Sequence, residues 1–247
     1  MKTKIGLIQP KDFGDIIALQ GLAHYLKVDQ WPVCEFISPI CEHFPYFDWI
    51  ELDRTMTWNK DHWEKANNAL QSDCIKIYDG MIHGIYQEIK RLNVRSMYVD
   101  QIKYHQLEVP FEEKYKKFVW KRIKKRENEL YDYYVTEKKY CVVHEYWGND
   151  YKNRQIKQIE LETDLPIIRF EPLAGYTIMD WYKICANAEV IHCVDSGPGN
   201  MIDLTNIQVE KHLHLDVLKT TNAQPDILNG FSFSNGWIKH FFPYAYN

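Results

Sequence analysis

Short apolar runs rich in Val and Ile alternate along the chain with segments whose apolar residues recur at helical spacing. The runs that predict buried strands are residues 4–9, 33–37, 74–78, 96–99, 139–143, 165–170 and 188–194. Helices are predicted from near Asp15, over 59–70, 82–92, 110–135, 154–161 and 178–186, and again from Met201, while residues 39–53 are predicted to be irregular. This alternation predicts an α/β fold with parallel sheet covered by helices on both faces.

A strand–turn–helix unit lies near each end of the chain, and each has Gly and Asp at its turn. A new set of strands and helices begins after Glu137. We therefore predict two domains, residues 1–137 and 138–247, with a boundary near 136–139. The C-terminal tail could pack back on the first domain.

The turn near the C-terminal end carries the clearest candidate chemistry. A strand ending at Val194 runs into Asp195, Ser196, Gly197, Pro198, Gly199 and Asn200, and a helix follows. Glycine lets backbone come close to a ligand, and a helix N-terminus offers amide groups and a positive dipole end to a phosphate. The alternative is a plain turn that ends in an Asp or Ser cap.

Bulk properties narrow the class of partner. The net charge of −4 gives no reason to expect nucleic-acid binding. No apolar run approaches the roughly 20 residues of a membrane span. None of the 6 cysteines forms a Cys-x-x-Cys pair or has His at zinc-binding spacing, so we expect reduced core cysteines, no metal site and a cytoplasmic protein.

Two motifs resemble one known family. Gly14 to Leu19 followed by Leu22 to Lys27 is similar to the opening of the ADP-heptose:lipopolysaccharide heptosyltransferase family. Ala186 to Ala188, followed by Asp195-Ser196-Gly197-Pro198, resembles its donor signature Asp-Ser-Gly-Pro-x-His, with Asn200 at the His position. The resemblance implies two Rossmann-like domains facing a central cleft (the GT-B arrangement), Asp15 as catalytic base, and residues 195–200 as the donor site.

Glycosyl transfer needs a base, a site for the departing diphosphate and a pocket for the nucleoside. An Asp at a helix N-terminus is held ionised by the helix dipole, which suits Asp15 to accept a proton. Lys152 and Arg154 are candidate cations for the diphosphate, Glu171 for the ribose hydroxyls and His144 for donor or acceptor. No Asp-x-Asp pair stands at a strand end, so a metal-dependent GT-A enzyme is not favoured, and we expect no cofactor beyond the donor substrate.

The sequence thus predicts a metal-independent glycosyltransferase that uses a nucleotide-diphosphate sugar and a glycan or glycolipid acceptor. Two alternatives stay open: a polysaccharide pyruvyl transferase-like or epimerase-like enzyme, and a nucleotide- or glycan-binding protein of the same fold without turnover, which the departure at Asn200 favours. The 8 basic residues between Lys114 and Arg126 could give peripheral contact with an anionic membrane on the cytosolic face, or could form a solvated helix face.

Overall fold

A computed structural model provides the structure of the chain. It describes residues 4–9, 12–35, 38–52, 61–70, 75–78, 97–145, 161, 163–216, 227–228, 232–234 and 236–242. The chain divides into two compact units, residues 1–94 with 100–121, and residues 95–99 with 122–247. The helix predicted for 82–92 lies outside the described residues, and so does the helix predicted for 154–161 except for its last residue.

The first unit is built around a parallel sheet. Its elements are β1 (Ile5–Ile8), α1 (Phe13–Ala18), α2 (Gln20–Tyr25), β2 (Gln30–Cys34), a 3-10 helix (Ser38–His43), β3 (Asp48–Leu52), α3 (Asp61–Ala69), β4 (Ile75–Tyr78), α4 (Val99–Gln106) and α5 (Glu113–Lys116). The strands pair in the order β3-β2-β1-β4, all parallel. Leu7 and Ile8 of β1 are fully buried, as expected for the central strand of a covered parallel sheet.

The second unit holds a larger parallel sheet. Its elements are β5 (Met97–Tyr98), α6 (Lys124–Tyr134), β6 (Cys141–His144), β7 (Ile167–Arg169), a 3-10 helix (Ile178–Trp181), α7 (Tyr182–Ala186), β8 (Val190–Val194), α8 (Gly197–Leu204), β9 (Glu210–Asp216), β10 (Ile227–Leu228) and β11 (Trp237–Phe242). Five strands pair in the order β11-β9-β8-β6-β7, all parallel, and β5 pairs with β10. The predicted α/β class with parallel sheets is confirmed.

Strand order fixes where each sheet offers a binding crevice. In the first sheet the chain runs from β1 outward to β3 and then places β4 on the other side of β1. In the second sheet β7 lies on one side of β6, and β8, β9 and β11 follow on the other side. In open parallel sheets the crevice lies outside the carboxyl ends of the strands where the order reverses. The order reverses between β1 and β4 in the first sheet and between β6 and β8 in the second sheet.

Several predicted elements differ from the structure. Residues 39–53, predicted to be irregular, contain a 3-10 helix and β3, and β2 begins at Gln30 rather than at Val33. Pro32 concealed the beginning of β2, because proline normally argues against a strand. Strands β9 and β11 were not predicted, since their alternating His and Lys residues lack a continuous apolar run.

The continuous helix predicted for residues 110–135 is wrong. Two helices, α5 and α6, are separated by non-helical backbone over 117–123. His43 holds this backbone at Lys121: the Lys121 amide donates to the His43 carbonyl at 2.7 Å, and the His43 ring contacts the Lys121 carbonyl at 2.9 Å. Both polar groups of Lys121 are therefore committed to a long-range contact instead of a helical ladder.

Within the described residues, no helix has the length and apolar character needed to cross a membrane.

Candidate functional site

The first candidate site is the turn after β1. Gln9 follows the strand, and Asp12 adopts a positive φ of 71° immediately before α1. A positive φ is uncommon outside glycine but is tolerated by Asp, whose short polar side chain bonds locally. Asp15 then falls in the first turn of α1, at the carboxyl end of the strand where the order of the first sheet reverses.

The Asp15 carboxylate is buried and held at both oxygens. Only 5% of the residue is exposed. Its Oδ1 accepts a hydrogen bond from the Lys103 ammonium at 2.6 Å, and its Oδ2 accepts one from the Gln9 amide at 3.3 Å. Gln9 is itself placed by the Trp31 indole, which donates to the Gln9 carbonyl at 2.9 Å. The carboxylate therefore has a fixed orientation and a buried counter-charge.

Lys103 lies on α4 and reaches Asp15 on α1. The residue after Lys103, Tyr104, hydrogen-bonds α4 to α1 and α2. The Tyr104 hydroxyl donates to the Ala18 carbonyl at 3.0 Å and accepts from the Leu22 amide at 2.9 Å. This hydroxyl bridges the break between the two helices at Leu19. Burial raises the Tyr104 pKa well above its usual value, so the hydroxyl keeps the proton that it donates.

The second candidate site is the turn between β8 and α8. Ser196 has extended backbone and caps α8, with its Oγ accepting from the Gly199 amide at 3.4 Å and donating to the Val194 carbonyl at 3.0 Å. Pro198 occupies the first turn, where the missing amide costs nothing. The local motif thus folds as predicted, into a capped helix start at the carboxyl end of β8.

The amide groups of this turn are not equally available to a phosphate. Pro198 has none, the Gly199 amide bonds to the Ser196 hydroxyl, and the Asn200 amide bonds to the Ser196 carbonyl at 3.1 Å. Among the described residues the protein supplies no acceptor for the Gly197 amide. A ligand anion at this helix start would therefore meet the Gly197 amide and the dipole of α8.

Asn200 adds a buried polar group to the same turn. Its side-chain amide donates to the Ser196 carbonyl at 3.4 Å, while its Oδ1 is buried without a hydrogen-bond partner among the described residues. An unsatisfied buried oxygen costs roughly 1–3 kcal/mol and calls for an explanation, such as a ligand or water that donates to it. This carbonyl oxygen is therefore a candidate acceptor within the turn.

An aromatic ring covers Gly199. A Cβ on Gly199 would lie 3.0 Å from Cε1 of Phe233 and 3.2 Å from the Val194 carbonyl oxygen, so only glycine fits without a shift. The Phe233 segment is tied to α8 by Asp203, whose carboxylate accepts from the Ser234 amide at 3.1 Å, from the Ser234 hydroxyl and from the Trp237 indole at 3.0 Å. Phe233, Ser234 and Trp237 are thus held beside the helix start.

Other predicted site residues lie at the same edge of the second sheet. His144 ends β6 and is buried, with its Nδ1 at 3.0 Å from the Phe170 carbonyl, so Nδ1 carries the proton. Glu171 follows β7 and is half-buried. Asp195 follows β8 and is half-buried as well. Lys152 and Arg154 lie outside the described residues.

The predicted basic segment divides into paired and exposed residues. Lys114 is fully buried against Asp100 at 2.7 Å, Arg122 pairs with Glu127, and Arg126 bonds to Asp180 at 3.0 Å. The exposed bases in this stretch are Lys116, Lys117, Lys121, Arg122, Lys124 and Lys125, and among them Lys116 also pairs with Glu112 and Lys125 with Glu129. A membrane contact by residues 114–126 stays a prediction that only these exposed side chains could carry.

Three residues beside the candidate sites were missed by the sequence: Gln9, Lys103 and Phe233. Lys103 is 88 residues from Asp15 in the sequence, so no local sequence pattern predicts that the two side chains pair. Glu145, which directly follows β6, could have been found as a polar residue at a strand end. Its carboxylate accepts from Arg169 of the neighbouring strand at 2.8 Å.

Comparison with known proteins gives a fold relationship. No family model matches the chain, and no curated protein matches it in sequence. A solved structure described as a glycosyl transferase family 9 protein from Veillonella parvula DSM 2008 is similar over 100% of this chain and 90% of its own, with a TM-score of 0.59 and 11% sequence identity. At this identity the similarity shows a shared fold, with two parallel α/β sheets.

Proposed function

We propose that the chain is a glycosyltransferase that moves a sugar from a nucleotide-diphosphate sugar to a glycan or glycolipid acceptor. The observation that carries this proposal is the position of the two turns. Each lies at the reversal point of its own sheet, one bearing the buried carboxylate of Asp15 and the other a capped helix start with an available amide at Gly197. The family of the structurally similar protein supports the same class.

In this proposal the donor diphosphate binds at the start of α8. The Gly197 amide and the helix dipole meet its negative charge, and the Asn200 side-chain oxygen accepts from a donor hydroxyl or bound water. Glu171 and His144, at the ends of adjacent strands, contact the nucleoside, and Lys152 and Arg154 supply positive charge. Because these groups stabilise the leaving diphosphate by themselves, we propose that no metal is required.

Asp15 is proposed to take the proton from the acceptor hydroxyl as that oxygen attacks the anomeric carbon of the donor. The bond between that carbon and the diphosphate breaks, and the diphosphate leaves with its electrons. We also propose that the exposed bases of residues 116–125 favour an acceptor that carries negative charge or lies on a membrane.

The test of this proposal is the variant Asp15→Asn, which keeps the shape of the side chain but cannot accept a proton. Transfer from a nucleotide-diphosphate sugar should fall by roughly 10²–10⁴-fold, while donor affinity from calorimetry stays close to wild type. Transfer should also persist in EDTA. The donor is first identified by a thermal-shift screen of nucleotide diphosphates and their sugars. A variant that transfers at nearly the wild-type rate, with an unchanged melting curve, would refute the base assignment.

A second candidate function, binding without turnover, is favoured by one observation. Asp15 is 5% exposed and paired with a fully buried lysine, an arrangement that also suits a purely structural ion pair. A chain of this kind would bind a nucleotide sugar at Gly197 yet show neither transfer nor donor hydrolysis. Donor hydrolysis by the wild-type protein, lost in Asp15→Asn, excludes this candidate.

A further inference from the structure

Lys103 is the only described side chain that gives Asp15 an ion pair, and its position is set by the fold. The ammonium is fully buried and lies 2.6 Å from Oδ1 of Asp15. Its helix α4 is held on one side by the Tyr104 hydroxyl, between Ala18 and Leu22, and on the other by the 2.7 Å pair of Asp100 with Lys114. Lys103 thus reaches Asp15 from a helix with two independent fastenings.

A base works only if its accepting oxygen is aimed at the hydroxyl that it deprotonates. Lys103 occupies Oδ1, and Gln9 donates to Oδ2 at 3.3 Å, a longer and weaker bond. The carboxyl plane is therefore set by Lys103, and the loosely held Oδ2 is the oxygen that can exchange its amide partner for a substrate hydroxyl. We infer that Lys103 is a positioning residue for Asp15, an inference that rests on the proposed glycosyl transfer.

The experiment is a double-mutant cycle on transfer. Lys103→Met should lower kcat by about 10- to 100-fold and leave the donor KM unchanged, because the lysine acts only through the base. In the Asp15→Asn background the same substitution should have no further effect on kcat. The double variant removes both buried charges together, so no unpaired buried ion lowers its stability. If Lys103→Met alone does not fold, Lys103→Gln, which keeps a donor, replaces it in the cycle.

Lys114→Met is the matched control, because it removes the buried ion-pair partner of Asp100 on the same helix but does not touch Asp15, and it should lower kcat less than Lys103→Met does. Equal losses of kcat in Lys103→Met and Lys114→Met, or a further loss in the Asp15→Asn background, would overturn the inference. An Asp15→Asn variant with wild-type transfer would instead overturn the proposed function itself. A large loss in Asp15→Asn with no loss in Lys103→Met would overturn the positioning role alone.

A separate feature of the second sheet is a group of four histidines, here called the histidine array: His192 on β8, His212 and His214 on β9, and His240 on β11. In the strand register His192 pairs with His212 and His214 pairs with His240, so all four point to one face of the sheet. The rings stack across the strands, His192 on His212 at 4.4 Å and His214 on His240 at 4.9 Å between centroids.

Hydrogen bonds join the rings into two pairs. Nδ1 of His192 lies 2.9 Å from Nε2 of His214, and Nδ1 of His212 lies 2.7 Å from Nε2 of His240. In each pair one nitrogen must donate a proton and the other must accept with a lone pair. A pair of rings that both become cationic presents two N–H groups to each other, and this bond is then lost. The second pair joins β9 to β11, which is an edge strand of the described sheet.

Little on this face compensates positive charge. Glu210 is the nearest carboxylate, 2.8 Å from Nε2 of His212, and its side chain is 61% exposed. The neighbouring strand β6 contributes Cys141 and Val143, and beyond it Arg169 of β7 is paired with Glu145. On β11, Ile238 stands opposite His212. The array is therefore a set of clustered imidazoles with one partly exposed counter-charge among the described side chains.

We propose that the histidine array is a proton-sensitive fastening of β11, closed when its rings are neutral and opened by mild acid. Within the described residues no group of three or more His, Cys, Asp or Glu side chains is placed to hold a metal ion, and the short N···N separations are those of hydrogen bonds. Opening would release residues 237–242, which follow the Phe233 segment that covers Gly199.

The direction of the effect follows from the ring environments. Burial, with the neighbouring rings His212 and His240, lowers the pKa of His192 to about 4, and burial likewise lowers the pKa of His214 to about 3. Well above pH 6.5 these rings are neutral in both the folded and the unfolded chain. As the pH falls below 6.5, these histidines bind protons in the unfolded chain but not in the folded array, where their pKa values are lower. Acid therefore favours opening.

Hydrogen exchange of residues 237–242, corrected for intrinsic rates and measured in EDTA from pH 7.5 to 5, tests this proposal. The comparison is with a double variant that carries His192→Asn and His240→Gln, because the amide side chains of Asn and Gln do not titrate. Over this pH range, protection in the wild type should fall by roughly 10- to 100-fold more than in the double variant. His240→Gln alone replaces the double variant if that does not fold. His105→Gln, on the exposed surface of α4, is the control and should follow the wild type. Parallel loss of protection in wild type and array variant would overturn the proposal.

Discussion

Asp203 is the residue whose loss should most clearly separate the Phe233 segment from α8. Its carboxylate is 4% exposed and accepts hydrogen bonds from the Ser234 amide, the Ser234 hydroxyl and the Trp237 indole. The substitution Asp203→Ala removes all three acceptor contacts at once. Lys211 also loses a nearby negative charge, which at present opposes the lowering of the Lys211 pKa by burial.

The cost can be estimated from what is left behind. The Trp237 indole N–H is buried and would have no acceptor, at roughly 1–3 kcal/mol, while the half-buried Ser234 groups can turn to water and lose about 1 kcal/mol. Removing the carboxylate also removes the cost of burying its charge, which offsets part of this loss of stability. We expect Asp203→Ala to lower the free energy of unfolding by about 2–4 kcal/mol, and Asp203→Asn, which keeps one acceptor oxygen, by about half as much.

Urea unfolding measures these differences, and hydrogen exchange of residues 232–237 locates them. Ser234→Ala is the matched control, because it removes the hydroxyl partner but keeps the amide contact, and it should cost less than about 1 kcal/mol. Loosening Phe233 beside Gly199 should also weaken nucleotide binding in Asp203→Ala. An Asp203→Ala variant within about 0.5 kcal/mol of wild type would refute the anchoring role of this carboxylate.

Two further predictions concern glycines. Gly197→Val should weaken the binding of a nucleotide diphosphate about tenfold or more, because the valine side chain blocks approach to the Gly197 amide. Calorimetry measures this affinity. Unchanged affinity in a folded variant would mean that the donor binds elsewhere. Gly21→Ala puts a Cβ 2.3 Å from the Glu113 carbonyl, between α2 and α5. It should lower the free energy of unfolding by about 1–3 kcal/mol or prevent folding, whereas wild-type stability would mean that the helices can separate at little cost.

The histidine array and the Asp15–Lys103 pair share a physical logic. Each places ionisable groups where the sheet or its covering helices exclude water, and each depends on hydrogen bonds that only one charge state supports. For Asp15 the partner is a buried lysine, so the pair is complementary. For the array the partners are alike, so added protons repel. The first arrangement should therefore stabilise its site, and the second should make its strand sensitive to acid.

The sequence by itself determined the local units of this protein. The strands at residues 5–8 and 190–194, the turns after them and the start of α8 were predictable, because apolar runs and a Ser-Gly-Pro turn act over a few residues. The parallel α/β class followed from their alternation. Strand β3 and the break at Lys121 were not predictable, because their backbone hydrogen bonds go to residues far along the chain.

Only the tertiary structure decided which side chains complete each site. Lys103 reaches Asp15 across 88 residues of sequence because α4 packs on α1 and α2, and Phe233 covers Gly199 because Asp203 anchors its segment. The four histidines are scattered over β8, β9 and β11, and they converge because the parallel register puts His192 beside His212 and His214 beside His240. Local sequence sets which residues can form a strand or a turn, whereas register and packing, which are long-range, set which of them meet.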